Sequence, residues 1–139
     1  AWAEVIADGI HLHPSVVRAA FRMFPGRVCL ISDSICSAGM PDGQYASGGQ
    51  PVTVTEGKAL LAGGVIAGSN ISLLQGLQRA VSFGVPLAEA VAAATEHPAR
   101  AIGVAGRHGR IAEGRSADLV LLGADLSLQK VWIDGEEIL

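Results

Sequence analysis

The spacing of apolar residues along the chain changes character several times, and each change marks a different kind of element. Val5-Ile6-Ala7 is a short unbroken apolar run closed by the turn pair Asp8-Gly9, which predicts a buried strand. Pro14 stands where a first helical residue is favoured. Val16, Val17, Ala20, Phe21 and Phe24 then fall on one helical face, and Pro25-Gly26 stops that helix. Arg27 to Ser32 holds the run Val-Cys-Leu-Ile and reads as a second strand, ending just before Asp33. A strand, a helix and a strand in this order predict a βαβ unit and a parallel sheet.

From Ser34 to Gly64 the pattern is that of loop and hairpin, with Pro51–Thr55 and Ala59–Ala62 as partner strands across Glu56-Gly57-Lys58. Ser69 is expected to cap a helix whose apolar positions are Ile71, Leu74, Leu77 and Val81, ended by Gly84. A second alanine-rich helix is expected from Leu87 to about Thr95, broken at His97-Pro98, with a short helix from Ala99 to Ile102. The chain then returns to strands over Asp118–Leu122, Gln129–Ile133 and Glu136–Leu139, the last two joined by the hairpin pair Asp134-Gly135. A parallel start and an antiparallel end predict an α/β chain made of pieces of two structural units.

Composition supports burial. Half of the 139 residues are hydrophobic and 17% are charged, which argues against disorder. Aromatic residues make up 4%, so the core rests on Ala, Val, Leu and Ile. The net charge is −3 and the ten basic residues form no patch, so there is no electrostatic footprint for nucleic acid. The uncharged stretch from Ala59 to Gln78 is interrupted by glycines and by Ser69, Asn70, Ser72 and Gln75, and is read as buried structure, not a membrane span. Cys29 and Cys36 provide neither a disulfide framework nor zinc spacing. Cys29 is expected to be a buried inert thiol, and a reducing cytoplasm fits. The sequence opens without Met, already inside a strand-like segment, and is expected to be an excised piece.

Two polar constellations follow the C-terminal ends of the first two strands, the edge where α/β folds place their sites. Asp33 is the sharper candidate. It is expected in a partly dehydrated place, and its position alone leaves a turn cap and a catalytic acid/base as open readings. His11 and His13 form a His-x-His pair. Shared metal ligation needs both rings on one face, and Pro14 argues against it. His11 is preferred as a donor toward substrate and His13 as a helix-entry residue. Gly63 to Ser69 reads as a glycine-rich approach to a helix N-terminus, without the ending of a phosphate loop. His97 and His108 are expected in surface or capping roles.

Taken in order, these pieces carry a resemblance. They are Asp8-Gly9-Ile10-His11, Leu30-Ile31-Ser32-Asp33 with Ala38-Gly39, Asp42-Gly43-Gln44-Tyr45, and Ile66-Ala67-Gly68-Ser69. Pro98-Ala99-Arg100-Ala101-Ile102-Gly103 and the run from Gly109 to Val120 complete the set. The chain resembles the N-acetylglucosamine-6-phosphate deacetylases of the amidohydrolase superfamily across nearly its whole length. The Gly109–Val120 run is shared across the superfamily, whereas the earlier motifs narrow the likeness to the deacetylases.

The resemblance implies the last strands and helices of a metal-dependent-hydrolase TIM-type barrel at residues 1–108, with a β-hairpin insertion near 44–64. Residues 109–139 would be C-terminal strands of a small β-sandwich. It implies hydrolysis of the N-acetyl group to glucosamine 6-phosphate and acetate, with Asp33 as acid/base. Asp8, Gly9, Ile10, His11, Ile66, Ala67 and Gly68 would contact the phosphorylated amino sugar. The divalent metal, zinc or iron, would be held by a Glu and two His that have no counterparts here, so the metal ligands are expected outside this chain and the chain alone is expected to be inactive. Ser34 departs from the family, which often carries Ala there. A dimer is the implied assembly. Two other readings are another amidohydrolase, acting on a cyclic amide or a different N-acetyl sugar, and a non-catalytic assembly module.

Overall fold

The computed structural model describes residues 1–139. The expected βαβ unit is present: β1 (Ala3–Ile6) and β2 (Val28–Ile31) pair in parallel, joined by α1 (Pro14–Met23). The register sets Ala3 opposite Val28 and Ile6 opposite Ile31. Helix α1 begins where the sequence says it should, because Pro14 needs no amide partner at a first helical position. It buries Val17 and Phe21 against the strands.

The middle of the chain is more than a hairpin. Four antiparallel strands, β3 (Gly43–Ser47), β4 (Gln50–Thr55), β5 (Lys58–Leu61) and β6 (Ile66–Gly68), form one sheet in chain order. The β4–β5 turn has positive φ at Glu56 and Gly57, the geometry that fits the twist of a two-residue hairpin. This sheet buries its own small cluster, Val52, Val54 and Ala59, against Ile35, Tyr45, Leu61 and Ala67. Gly63 and Gly64, at φ +85° and +81°, turn the chain from β5 into β6. The glycine-rich stretch therefore leads into a strand and not into a helix, which corrects the expectation drawn from its composition.

Ser69 is not the helix cap. The next helix, α2 (Leu73–Ser82), is capped by Ser72, whose Oγ accepts from the Gln75 amide at 3.2 Å. The Gln75 side chain accepts from the Ser72 amide at 2.8 Å, completing a reciprocal capping box. Ser69 is drawn away by long-range pairing, since it bridges in parallel to Ser34. Sequence pattern could not separate the two serines, because both precede the same apolar face.

Helices α3 (Leu87–Ala94) and α4 (Glu96–Ala101) follow with little between them. The helix α4 starts ahead of His97-Pro98, because Pro98 is within the first turn, where a proline is tolerated. The main core joins Val5, Ala7, Val28 and Leu30 of the strand segments to Val17, Phe21, Leu77, Ala80, Val85, Ala90 and Ala93. Cys29 is buried in β2, and burial together with the Glu4 charge holds its thiol above the usual range, as expected of an inert thiol.

A third sheet, β7 (Leu119–Leu122), β8 (Leu128–Ile133) and β9 (Glu136–Glu137), is antiparallel, with Asp134 and Gly135 in the positive-φ turn. No residue beyond Ala99 is buried. The sheet is tied to the rest by Gln78 Nε2, which donates to the Leu126 carbonyl at 2.8 Å, and by Leu126 against the main core. None of the helices is long and apolar enough to cross a membrane.

The capping assignment is directly testable. Ser72→Ala is expected to cost about 1 kcal/mol of stability in urea denaturation of the chain, because one helix-terminal amide loses its acceptor.

Candidate active site

The parallel register places two acidic residues side by side on one edge. Asp8 and Asp33 each lie two residues past the last paired positions, Ile6 and Ile31. Neighbouring strands run roughly 5 Å apart, so the two loops share one rim of the sheet.

Asp8 is 4% exposed, and its carboxylate turns back into its own loop. Oδ1 accepts from the Ile10 and His11 amides, each at 2.9 Å, and Oδ2 meets His11 Nδ1 at 2.7 Å. The Arg79 guanidinium donates to the Asp8 carbonyl from α2. Burial pushes the Asp8 carboxyl upward. The amide bonds from His11 and Ile10 and the His11 ring outweigh it, and the net pKa lies below 3.8. Gly9 lets the loop turn at φ +74°, where a Cβ would stand 3.2 Å from the Phe83 ring. His11, with a side chain 20% exposed, is thereby held by Nδ1 and has Nε2 free to face a ligand. The Asp8–His11 pair was readable in outline, since an Asp three residues before a His across a glycine turn suits such a closed loop.

His13 goes elsewhere. Its ring caps α1, accepting from the Ser15 amide at 3.3 Å and meeting Ser15 Oγ at 2.8 Å. The His-x-His segment is bent rather than extended, so the two rings have separate partners and do not converge. His97 corrects its expected surface or capping role: it is buried, and its Nδ1 lies 2.8 Å from the Val28 carbonyl at the opposite end of β2. His108 is exposed and pairs with Asp118 at 3.3 Å. A cavity of about 210 Å³ lies beside His97, Phe21 and Val28, at the end of β2 away from Asp33.

Asp33 is exposed, which corrects the expectation of a partly dehydrated carboxyl. Its φ is +49°, a left-handed value uncommon for a residue with a Cβ. The loop is held by its neighbour strand. The Ser69 amide donates to the Asp33 carbonyl at 2.8 Å, and the Ile35 amide donates to the Ser69 carbonyl at 3.1 Å. Gly68, at φ +135°, makes room: a Cβ there would meet Ile35 Cγ2 at 2.7 Å and the Asp33 carbonyl at 3.0 Å. The fold thus brings together Asp33 and Gly68, from segments 35 residues apart. The expected contact stretch Ile66-Ala67-Gly68 is strand β6, whose end abuts the Asp33 loop. Ser69 and Arg79 are the structural supports that sequence reasoning missed, and only the serine stood in a motif.

The Amidohydrolase family model matches residues 2–138. The chain belongs to the amidohydrolase family. An N-acetylgalactosamine-6-phosphate deacetylase of Escherichia coli O157:H7 is 39% identical over 98% of this amidohydrolase chain and 36% of its own length. The N-acetylglucosamine-6-phosphate deacetylase of Vibrio furnissii is 35% identical over 96% of the chain and 34% of its own. Among solved structures, an N-acetyl-D-glucosamine-6-phosphate deacetylase mutant of Mycobacterium smegmatis in complex with N-acetyl-D-glucosamine-6-phosphate superposes with a TM-score of 0.91. It is 36% identical, over 98% of this chain and 37% of that one. The chain thus spans about a third of the length of each of these relatives.

An amidohydrolase metal does not find a site among these residues. No group of three or more His, Cys, Asp or Glu stands close enough to hold one, and His11 and His13 have their Nδ1 atoms engaged with different partners.

Two outcomes follow from this geometry. Gly68→Ala is expected to destabilise the chain by about 1–3 kcal/mol, measured by urea denaturation, because it combines an unfavourable φ with a backbone clash. The lowered Asp8 pKa contributes stability that is fully present above 3.8 and is lost as pH falls through the lower folded value. Asp8→Asn should therefore cost about 1–3 kcal/mol near neutral pH. Its deficit against the parent chain should shrink below 3.8 in denaturant titrations repeated across pH.

Proposed function

We propose that this chain is the C-terminal part of an N-acetylglucosamine-6-phosphate deacetylase, which hydrolyses the N-acetyl group to glucosamine 6-phosphate and acetate. The observation that carries the reading is the likeness to the substrate complex, at 36% identity and over 98% of the chain. Residues 1–108 would supply the closing part of a TIM-type barrel, with the four-stranded sheet as its insertion. Residues 109–139 would supply strands of a β-sandwich. Burial supports a piece of something larger. Only 23 of 139 residues are buried, and Val120, Leu121, Leu128 and Ile133 of the last sheet stand exposed, with Ile138 just after it.

In this reading Asp33 is the acid/base. Its exposed carboxylate at the sheet edge would take a proton from the attacking water and return it to the departing amine. His11, fixed through Nδ1 by Asp8, would offer Nε2 to the substrate. The loop of Asp8, Gly9 and Ile10 and the segment Ile66, Ala67 and Gly68 would line the sugar from two sides. The divalent metal, zinc or iron, belongs to residues outside this chain, so the chain alone would be inactive. A cytoplasmic dimer is the expected setting of the complete enzyme.

A second reading rests on the Escherichia coli O157:H7 relative at 39% identity: the galacto epimer as substrate. Acetate release by the full-length polypeptide, measured on both 6-phosphates and on unphosphorylated N-acetylglucosamine, separates these. N-acetylglucosamine 6-phosphate is expected to be turned over fastest. A preference for the galacto epimer replaces the substrate assignment, and equal rates with the unphosphorylated sugar remove it. Asp33→Asn is expected to lower kcat by about 10²- to 10⁴-fold.

A further inference from the structure

We propose that Ser69 is a positioning residue for Asp33, reinforced by Ser34. The proposal rests on the acid/base reading of Asp33 and adds the groups that hold that carboxylate in place. Asp33 lies in a left-handed conformation that an L-residue with a Cβ adopts at a cost, so surrounding bonds must over-determine it. Left free, the loop would relax toward ordinary φ and swing the carboxylate away from the rim.

Three groups of Ser69 bracket the strained residue. Its Oγ donates to the Ser32 carbonyl just before Asp33. Its amide donates to the Asp33 carbonyl at 2.8 Å, and its carbonyl accepts from the Ile35 amide at 3.1 Å, two residues on. Ser34 adds a strap from the other side, its Oγ donating to the Ile71 carbonyl at 2.6 Å. The two segments thus run as a short parallel bridge, Ser34 opposite Ser69, continuing β2 beyond its last regular residue.

Ser69 is 1% exposed, so its hydroxyl does not face substrate and can act only through what it holds. The two amide-to-carbonyl bonds survive any substitution. The hydroxyl bond to Ser32 is what the serine side chain adds, and it fixes the peptide that enters Asp33. Ser34, where the resembling family often has alanine, makes its own strap to the segment that leads into the capping box of α2. The carboxylate is therefore referenced to β6 on one side and to the start of α2 on the other.

The test is a double-mutant cycle in the full-length polypeptide, assayed by acetate release from N-acetylglucosamine 6-phosphate. Ser69→Ala is expected to lower kcat about 10- to 100-fold with KM nearly unchanged, because misplacing a reacting group acts on the transition state. In an Asp33→Asn background Ser69→Ala is expected to have no further effect, since the group it positions is already gone. The same loss in both backgrounds, or a raised KM with kcat intact, overturns the proposal. A general folding defect would lower the rate in either background and is thereby told apart. If Ser69→Ala does not fold, Ser34→Ala at its exposed position runs the same cycle, with a smaller loss of kcat expected, confined to the Asp33 background. Full activity of Asp33→Asn alone would overturn the acid/base reading and this proposal with it. Additive losses with Asp33→Asn impaired would overturn the positioning role alone.

Discussion

Two parallel strands of four residues each cannot bury a face of their own sheet, and β1 and β2 depend on helices to cover one. Val5, Val28 and Leu30 pack with α1, α2 and α3 into one cluster, which contains most of the buried apolar residues. Burial of these aliphatic side chains fixes the register of β1 on β2, because a one-residue slip would turn the set toward solvent. Everything at the rim inherits its place from that register. Asp8 and Asp33 sit side by side only because Ile6 sits opposite Ile31.

The two rim loops are then stabilised in opposite ways. The Asp8 loop closes on itself: its carboxylate takes up two amides and a histidine ring, and Arg79 pins its carbonyl from α2. The Asp33 loop is held from outside, by the end of a strand in another sheet. The first arrangement buries an acid so that a histidine can be presented. The second leaves an acid exposed but constrains its backbone. The proposed roles suit this division, since a proton carrier at Asp33 would need access to water and a binding group at His11 would need a fixed direction.

The apolar side chains left exposed on β7 and β8, with no buried residue beyond Ala99, set the last sheet apart from the rest. The chain spans about a third of the length of the three deacetylases compared with it, and no metal donor set lies within it. These facts agree with one another: the sheet edge carries Asp8, His11 and Asp33, and no group of metal-ligating side chains stands beside them.

Local pattern was enough for α1, for the strands on either side of it and for the turns at Glu56-Gly57 and Asp134-Gly135, because periodicity and turn chemistry are properties of neighbours in sequence. The ordered motifs likewise determined the family. Sequence did not determine which serine capped α2, since Ser69 and Ser72 are equivalent until Ser69 pairs with Ser34 across 35 residues. It did not place His97 in the interior, because that burial depends on the end of β2, 69 residues away. It also assigned Asp33 a partly dehydrated surrounding, whereas the structure leaves the residue exposed and puts the constraint in the backbone. Residue types and their order decided which chemistry this chain could carry. Only the tertiary structure decided which groups hold it in place, because a hydrogen bond between distant segments exists only once the sheets and helices have brought them together.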